Sequence, residues 1–407
     1  MAIGSAVPAR ESSYAYLRLV ASLSLMTIGG AGMFTIVVAL KPVAAEFGAS
    51  RSAASIAYAV TTVGFGVGGV MMGRWADRAG VMLPALFGTV CLALGFVLAG
   101  RAESMGQLYL AQGLLIGLMG NAAVFAPLVA DITHWFTQRR GIAVAIVISG
   151  NYLAGTVWPP ITQYGIDLWG WRDTFTGIGI FCLLTMLPLS VLLYRRVPDA
   201  APGAQMQDTA PARPLSMAPV TLQLLLCAAG AGCCIAMAMP QTHIVAHATD
   251  LGHAAQRGAE MLALMLGTGV ISRLVFGWVS DRIGGLKALL IGSGLQCAAL
   301  LLFMPVEGLA ALYLISALFG LGQGGIVPAY TIIIRAFFPP GQAGWRIGTV
   351  MMFTLMGMGL GGWLAGLLYD LTGSYQAAFV NAVAFNVMHL AIAGSLLRRA
   401  GRLGVRA

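Results

Sequence analysis

Apolar segments long enough to cross a lipid bilayer dominate this sequence. A transmembrane helix needs about 20 apolar residues, and lipid accepts only helices or closed barrels because every backbone group must be hydrogen-bonded. We place twelve such segments at about 18–40, 52–73, 81–100, 107–130, 141–163, 174–194, 218–243, 259–280, 285–304, 309–335, 347–368 and 377–396. Only 9% of the residues are charged, against about 25% in a soluble domain. The sequence therefore predicts an all-α membrane protein with twelve transmembrane helices.

The basic residues indicate how the chain is oriented. Of the 23 Lys and Arg residues, seventeen, Arg18 among them, fall in tails and loops on the side of both termini, and five in the other loops. Loops rich in Lys and Arg stay in the cytoplasm. We therefore expect a multi-pass protein of the cell membrane (a bacterial inner or plasma membrane), with both termini cytoplasmic and lipid around a monomer. The basic residues form no patch, which excludes a nucleic-acid partner.

A polar break divides the apolar segments into two groups of six. Residues 195–217, rich in Pro and Ala, predict a flexible cytoplasmic linker between an N-terminal half, 1–194, and a C-terminal half, 218–407. A motif after the second segment of each half supports this division, because GRWADRAG at 73–80 recurs as GWVSDRIG at 277–284. The matched positions, 204 residues apart, are Gly73 with Gly277, Asp77 with Asp281, Arg78 with Arg282, and Gly80 with Gly284.

Twelve segments in two halves with this duplicated loop resemble the transporters of the major facilitator superfamily. The resemblance covers essentially the whole chain. It implies two pseudo-symmetric six-helix halves that give alternating access to a central site. It also implies a gating role for the loop residues Gly73, Asp77, Arg78, Gly277, Asp281 and Arg282. The alternative is a positively charged turn without a gating role.

Further features resemble the monocarboxylate porter group and the related oxalate/formate exchangers. They are HWFTQRRGIAVAIVISGNYLAGTVWPP at 134–160, LKPVAAEFGASRSAAS at 40–55, and an arginine in the middle of the eighth segment, Arg273. The resemblance implies that Arg273 pairs with the substrate carboxylate. Two features depart from the group: Gly269 replaces an Asp implicated in proton coupling, and the eleventh segment lacks the lysine of the oxalate exchangers. A single cation suits one carboxylate, so we expect a monocarboxylate.

Arg273 is the one cation that fits neither a loop nor a helix end. A charge at the bilayer centre costs roughly 2.5–3.5 kcal/mol on insertion scales unless it faces a cavity or a partner. Gly269 and Gly277 fall on the same helix face and leave room beside the guanidinium. Since no acidic residue is centred in a segment, we expect a mobile anion as its partner, held bidentately. The alternative is an arginine that is capped by carbonyl groups and Asn side chains and joins the two halves.

Polar residues at similar depth are the other candidates for substrate binding. They are Asn121, Asn151, Tyr152, Gln241 and Tyr330. Amides at these positions serve equally well as hydrogen bonds between helices, and Tyr330 is also a candidate for an inner gate. We expect His243 at a wet helix end, and Asn386 and His389 in packing contacts. No residue is then left for a coupled proton, which we expect to travel with the substrate.

Secondary transport of small organic anions is the predicted function, in the form of a proton-linked monocarboxylate transporter working by alternating access. Carboxylate exchange without net proton movement is the alternative. A transporter-like ligand sensor is less favoured, because the linker and tails are short. The sequence has no phosphate loop of the Walker type and no His, Cys and carboxylate cluster. We therefore expect neither an enzyme nor a cofactor nor a metal site.

Overall fold

The computed structural model describes residues 11–136, 139–195, 215 and 217–402. The regular elements in these ranges are helical, as the apolar segments predict, and a π-helix at Ala111–Asn121 joins α6 to α7. The α-helices are α1 (Ser13–Gly29), α2 (Ala31–Val38), α3 (Leu40–Glu46), α4 (Arg51–Ala79), α5 (Met82–Gly100), α6 (Met105–Leu110), α7 (Ala126–Trp135), α8 (Arg140–Val191), α9 (Pro219–Asp250), α10 (Ala255–Ile283), α11 (Gly285–Phe303), α12 (Leu309–Gln323), α13 (Ile326–Phe337), α14 (Pro340–Thr372) and α15 (Gln376–Arg402).

Eleven stretches of the described chain are long and apolar enough to cross a membrane. One of them, Gly141–Val191, has 51 residues, about twice the length of a single crossing. It turns at Gly170, whose φ of 77° and ψ of 166° are not helical, and Gly165 packs against Thr174 beyond the turn. The described part of the chain therefore provides twelve crossings, as predicted.

We number these crossings as spans one to twelve. Span one comprises α1 to α3, span four runs from α6 to α7, and the two arms of α8 are spans five and six. Span ten comprises α12 and α13, and each remaining span is a single helix. The membrane protein is thus built from two groups of six spans, one before and one after the predicted linker.

The duplicated motif adopts the same turn in both groups. Gly80 ends span two with a φ of 82°, and Gly284 ends span eight with a φ of 90°. Glycine is favoured in this left-handed region. Each glycine N–H donates to the carbonyl four residues earlier, at 2.8 Å for Ala76 and 2.9 Å for Ser280. The fold class, two pseudo-symmetric six-helix halves, is confirmed; the linker itself, 195–217, lies mostly outside the described residues, and its bounds stay a prediction.

Arg18, which the charge count assigns to the N-terminal tail, lies inside span one and is fully buried. Its Nε and Nη2 donate to the two carboxylate oxygens of Asp131 at 2.6 and 2.7 Å. The guanidinium also lies over the ring of Trp135, 4.8 Å from its centroid. A bidentate pair of this kind satisfies both charges away from water, and it joins spans one and four of the N-terminal half.

The described residues of the two halves meet on one side of the molecule and at mid-depth. We call the side where α1 begins and α15 ends the terminal face, and the other side the opposite face. Spans two and eleven meet near the opposite face, where Gly366 lies against the backbone of Arg51 and Ser52. Within the described ranges, hydrogen bonds between the halves lie near the opposite face or at mid-depth. Among the described residues, the hydrogen bonds between the halves are thus concentrated at the opposite face and at mid-depth.

Candidate functional site

Arg273 lies at the contact between spans five and eight, which belong to different halves. It is half-buried, and its Cζ is 4.2 Å from the ring centroid of Tyr152. Nη1 donates to the carbonyl oxygen of Ile148 at 3.5 Å, a long and weak bond. Nε is buried and has no hydrogen-bond partner in the described structure, where the salt bridges do not include Arg273. The guanidinium therefore has donors to spare.

Gly269 explains how the Tyr152 ring reaches Arg273. A Cβ at position 269 would lie 2.4 Å from Cε1 of Tyr152, so the ring packs directly on the backbone of span eight. The expectation that Gly269 leaves open room beside the guanidinium is therefore wrong, because the ring fills that room. Gly277, one turn beyond Arg273, has no described atom within 4 Å of its Cβ position. The space beside Arg273 is thus filled at Gly269 and free of described atoms at Gly277, on the side of the terminal face.

Asn121 and Asn151 share a narrow cleft in the N-terminal half. The cleft is otherwise apolar, with Met26 and Met33 from span one and Phe125 from span four in its wall. Asn121 is buried, and its Oδ1 has no hydrogen-bond partner among the described residues. Asn151 precedes Tyr152 in span five. The cleft, of about 10 Å³, thus combines an apolar lining with two amide side chains.

Gln241 lies one layer closer to the opposite face. Its Nε2 donates to Oε1 of Gln323 at 2.5 Å, and both side chains are buried. Nε2 of Gln323 is 3.7 Å from the Cβ position of Gly269, one turn from Arg273. The structure thus brings five of the six predicted binding residues to the region where spans five and eight meet and to the cleft beside it.

Tyr330 is the predicted binding residue that the structure does not bring to the others. Its side chain is fully buried in the C-terminal half. The hydroxyl lies 3.2 Å from Nδ1 of His389 and 3.7 Å from Sγ of Cys233. Substrate contact by Tyr330 stays a prediction. The packing roles expected for His389 and Asn386 agree with their full burial and with the bond from Gln296 to Oδ1 of Asn386, at 2.9 Å.

An ion-pair cluster closes the opposite face. Asp250, at the end of span seven, accepts hydrogen bonds from Lys41 at 2.7 Å and from Arg51 at 3.0 and 3.1 Å. Asp370 of span eleven accepts the backbone N–H groups of Arg51 and Ser52, both at 2.8 Å. A carboxylate at a helix N-terminus bonds N–H groups that the helix leaves free. Two cations of the N-terminal half therefore face two carboxylates of the C-terminal half.

His243 lies beneath this cluster, and the expectation of a wet helix end is wrong. The side chain is fully buried. Nε2 is 2.8 Å from the carbonyl oxygen of Gly362, and Nδ1 is 3.1 Å from the hydroxyl of Tyr375. A carbonyl only accepts, so Nε2 carries the proton and Nδ1 accepts from Tyr375. Tyr375 in turn accepts from Nη1 of Arg51 at 3.0 Å. Burial raises the pKa of Tyr375, so its hydroxyl keeps the proton that it donates to His243.

The predicted gating residues lie at the terminal face. Gly73, Asp77 and Arg78 line a cavity of about 570 Å³ there, together with Asp131 and Arg195. Asp77 and Arg78 are exposed, and the salt bridges of the described structure include neither of them. Among the described residues, therefore, no salt bridge joins Asp77 or Arg78 to the other half.

The second copy of the loop is similar. The guanidinium of Arg282 lies 3.7 Å from the ring centroid of Trp278 in its own helix, and the side chain of Asp281 lies outside the described part of the chain. Gly277 contacts nothing within 4 Å of its Cβ position. A gating role for the two loops stays a prediction. It would be exercised in a conformation that is closed at the terminal face.

Sequence reasoning missed the acidic members of the opposite-face cluster. The sequence does place the charges on the same side of the membrane, because Asp250 and Asp370 lie at span ends on the same face as Lys41 and Arg51. Charges at helix ends are common and usually solvated, and nothing in the sequence distinguishes these from the rest. Their pairing depends on how the two halves are docked.

Comparison with known proteins gives the class. The sequence profile of the Major Facilitator Superfamily matches residues 20–309 and 224–403, and the chain belongs to this superfamily. It is thus a multi-pass membrane transporter and not an enzyme, with monocarboxylate transporters among its relatives.

Two of these relatives are curated mammalian proteins. Monocarboxylate transporter 11 of Homo sapiens is 30% identical over 346 residues, which are 80% of this chain and 70% of the relative. Monocarboxylate transporter 13 of Bos taurus is 29% identical over 340 residues, 82% of this chain and 76% of the relative. The chain is therefore monocarboxylate-transporter-like.

Solved structures share the fold over nearly the whole chain. A bacterial homologue of the human lysosomal transporter Spinster, in an inward-facing and occupied conformation, has a TM-score of 0.71 at 16% identity and covers 96% of this chain and 97% of that one. The peptide transporter POT in complex with sulfate has a TM-score of 0.75 at 14% identity, with 96% of each chain covered. At these identities the likeness concerns the fold alone.

Proposed function

We propose that this transporter carries small monocarboxylates across the membrane and that Arg273 binds the substrate carboxylate. One observation carries the proposal: a guanidinium at the contact between the two halves, with an unused buried donor and no ion pair in the described structure. A cation at this depth is unfavourable unless an anion joins it. A carboxylate can accept two parallel bonds from the planar guanidinium. The names of the mammalian relatives support the same substrate class.

The rest of the substrate would lie toward the cleft of Asn121 and Asn151, which must widen to admit it, because the cleft encloses about 10 Å³ in this structure, the space of about one water molecule. Asn121 and Asn151 supply amide donors and acceptors there, and the methionine and phenylalanine side chains supply an apolar wall. Gln241 would complete the site from span seven, while the ring of Tyr152 in span five packs on the guanidinium of Arg273 itself. A single cation favours one carboxylate over two, because a second unpaired carboxylate would be desolvated without a partner.

Transport would proceed by alternating access. The cluster of Lys41, Arg51, Asp250 and Asp370 forms the closed gate of the present conformation, and the motif loops at the terminal face would close the other one. With the termini in the cytoplasm, as the charge distribution predicts, the present conformation is inward-facing. In proton-linked transport the proton would travel with the substrate and not on a carboxylate of the site, because the salt bridges and hydrogen bonds of the described residues place no carboxylate at Arg273.

Reconstituted vesicles test the proposal. The probes are radiolabelled lactate, pyruvate and benzoate, with uptake driven by an imposed pH gradient into vesicles with an empty lumen. We expect Arg273→Ala to lower uptake about 10- to 100-fold, since charge-assisted hydrogen bonds are lost. Arg273→Lys should recover only part of it, because an ammonium lacks the bidentate fork. The control is Arg101→Ala, at an exposed position at the end of span three.

Three results would refute parts of this proposal. Uptake that Arg273→Ala leaves unchanged would refute the site. Uptake only into vesicles preloaded with carboxylate would favour exchange over proton-linked transport. Binding of these acids without any flux would favour a ligand sensor.

A further inference from the structure

We propose that Tyr152 is the substitute partner of Arg273 in the unoccupied transporter and that it allows the empty transporter to reorient. The consequence is net transport of the anion and not obligatory exchange. This inference rests on the proposed function, because it presumes that Arg273 pairs with the substrate when the site is occupied. The inference concerns the partner of the Arg273 guanidinium when no substrate is bound.

Among the described residues, the hydrogen bond and the ring contact of Arg273 both come from the other half. The aromatic face of Tyr152 lies 4.2 Å from Cζ, and the carbonyl oxygen of Ile148 lies 3.5 Å from Nη1. Both belong to span five, and neither bears a charge. The carbonyl contact is at the limit of a hydrogen bond, whereas the ring face lies well within the range in which an aromatic quadrupole attracts a cation. The ring is therefore the main partner.

The position of this ring is built into both spans. A side chain of any size at position 269 would occupy the place of Cε1 of Tyr152, so the glycine of span eight and the tyrosine of span five fit each other. Tyr152 itself is only 7% exposed. The ring is thus held against Arg273 by packing and does not merely swing near it.

Reorientation of a transporter passes through a state in which the site is closed to both faces. A lone cation in such a state is strongly unfavourable. An occupied site avoids this problem because the substrate carboxylate neutralises Arg273. An empty site needs another partner, and the contact between Tyr152 and Arg273 supplies one at mid-depth, between the opposite face and the terminal face. A contact near the pivot of the two halves changes least when they rock.

The experiment separates net transport from exchange in the same vesicles. Net uptake of radiolabelled lactate, pyruvate and benzoate is measured into empty vesicles, and exchange into vesicles preloaded with the same acid. Tyr152→Leu removes the aromatic face at similar size, and Tyr152→Phe keeps it. We expect Tyr152→Leu to lower net uptake roughly tenfold, the size of effect expected from a desolvated cation–π contact, and to lower exchange by less than about threefold. Tyr152→Phe should retain both.

The outcomes are distinct. Equal loss of net uptake and exchange in Tyr152→Leu would overturn the inference and indicate a structural role for the ring. So would unchanged net uptake in Tyr152→Leu, or a wild-type protein that only exchanges. If the wild type moves none of the three acids, or if Arg273→Ala transports them normally, the proposed function itself fails and the inference fails with it.

Discussion

Asp250 and Glu46 occupy equivalent positions in the two halves, 204 residues apart, yet their carboxylates bond to different partners. Glu46 accepts from Nε of Arg172 at 2.7 Å within its own half. Asp250 accepts from Lys41 and Arg51 across the boundary between the halves. The same repeat position thus stabilises one half in the first case and closes the opposite face in the second.

Neutralising Asp250 should loosen the opposite face. In Asp250→Asn two ion-pair partners lose their counter-charge, and because Asp250 is 23% exposed each contact is worth about 0.2–1 kcal/mol. We expect a few-fold to roughly tenfold higher population of the conformation open at that face. Ser55→Cys reports it, since Ser55 is fully buried beneath the cluster. The measurement is the rate at which a membrane-impermeant thiol reagent labels the cysteine. The rate in the double variant with Asp250→Asn is compared with the background value, which is the rate in Ser55→Cys alone.

Glu46→Gln is the matched control for this variant. It removes a carboxylate at the equivalent repeat position, and the lost contacts stay within the N-terminal half. We expect the labelling rate at Ser55→Cys to remain at the background value. Equal acceleration by both substitutions would mean that labelling follows general loosening and not the contact between the halves.

Gly366→Ala should also raise the population of the conformation that is open at the opposite face, in this case by disturbing the packing between the halves. A Cβ there would lie 2.9 Å from backbone atoms of Arg51 and Ser52, and the backbone cannot yield as a side chain would. Overpacking of this kind costs about 1–3 kcal/mol, and here spans two and eleven can relieve it by moving apart. We expect faster labelling of Ser55→Cys. The control is Gly294→Ala, which has no described atom within 4 Å of its Cβ position; slow labelling in Gly366→Ala would contradict the prediction.

The spans and the repeat could be predicted from the sequence because each depends on local properties. Apolar length predicts a crossing wherever it occurs, and Gly80 and Gly284 mark equivalent turns by their own backbone conformation. Arg273 stood out for a similar reason, as a single cation in an apolar run. None of these predictions requires knowing which helices are neighbours.

The partners of these residues could not be predicted, because they depend on contacts between distant spans. Tyr152 reaches Arg273 only because Gly269 has no side chain and lets the ring pack on the backbone of span eight. From the sequence, the same glycine is equally consistent with empty space beside the arginine. His243 was misplaced because span seven was expected to end there, whereas the helix continues to Asp250. The shortest hydrogen bonds of His243 lie within its own half, to Gly362 and Tyr375, and it is Asp250, at the actual end of the helix, that bonds to the charged groups of the other half.

Gly269→Ala tests the fit between spans five and eight by a substitution in span eight, whereas Tyr152→Leu changes span five. The added methyl group would lie 2.4 Å from Cε1 of Tyr152 and should displace the ring from the guanidinium. We expect net uptake of the radiolabelled acids to fall more than exchange, as in Tyr152→Leu, by roughly tenfold at most. Gly294→Ala again serves as the control. Normal net uptake in Gly269→Ala would show that the position of the ring does not matter for the empty transporter.

The ion pair between Arg18 and Asp131 should matter for stability. Arg18→Ala leaves a carboxylate that is 8% exposed without its counter-charge, and breaking a buried pair costs about 3–5 kcal/mol. Arg18→Met combined with Asp131→Leu should recover more than half of that loss, because no buried charge remains. Arg257→Ala is the comparison: its pair with Glu260 is exposed, at 53% and 33%, and should contribute little to the free energy of unfolding. The measurement is unfolding in detergent micelles, and a loss in Arg18→Ala no larger than that in Arg257→Ala would show that the buried pair does not hold spans one and four together.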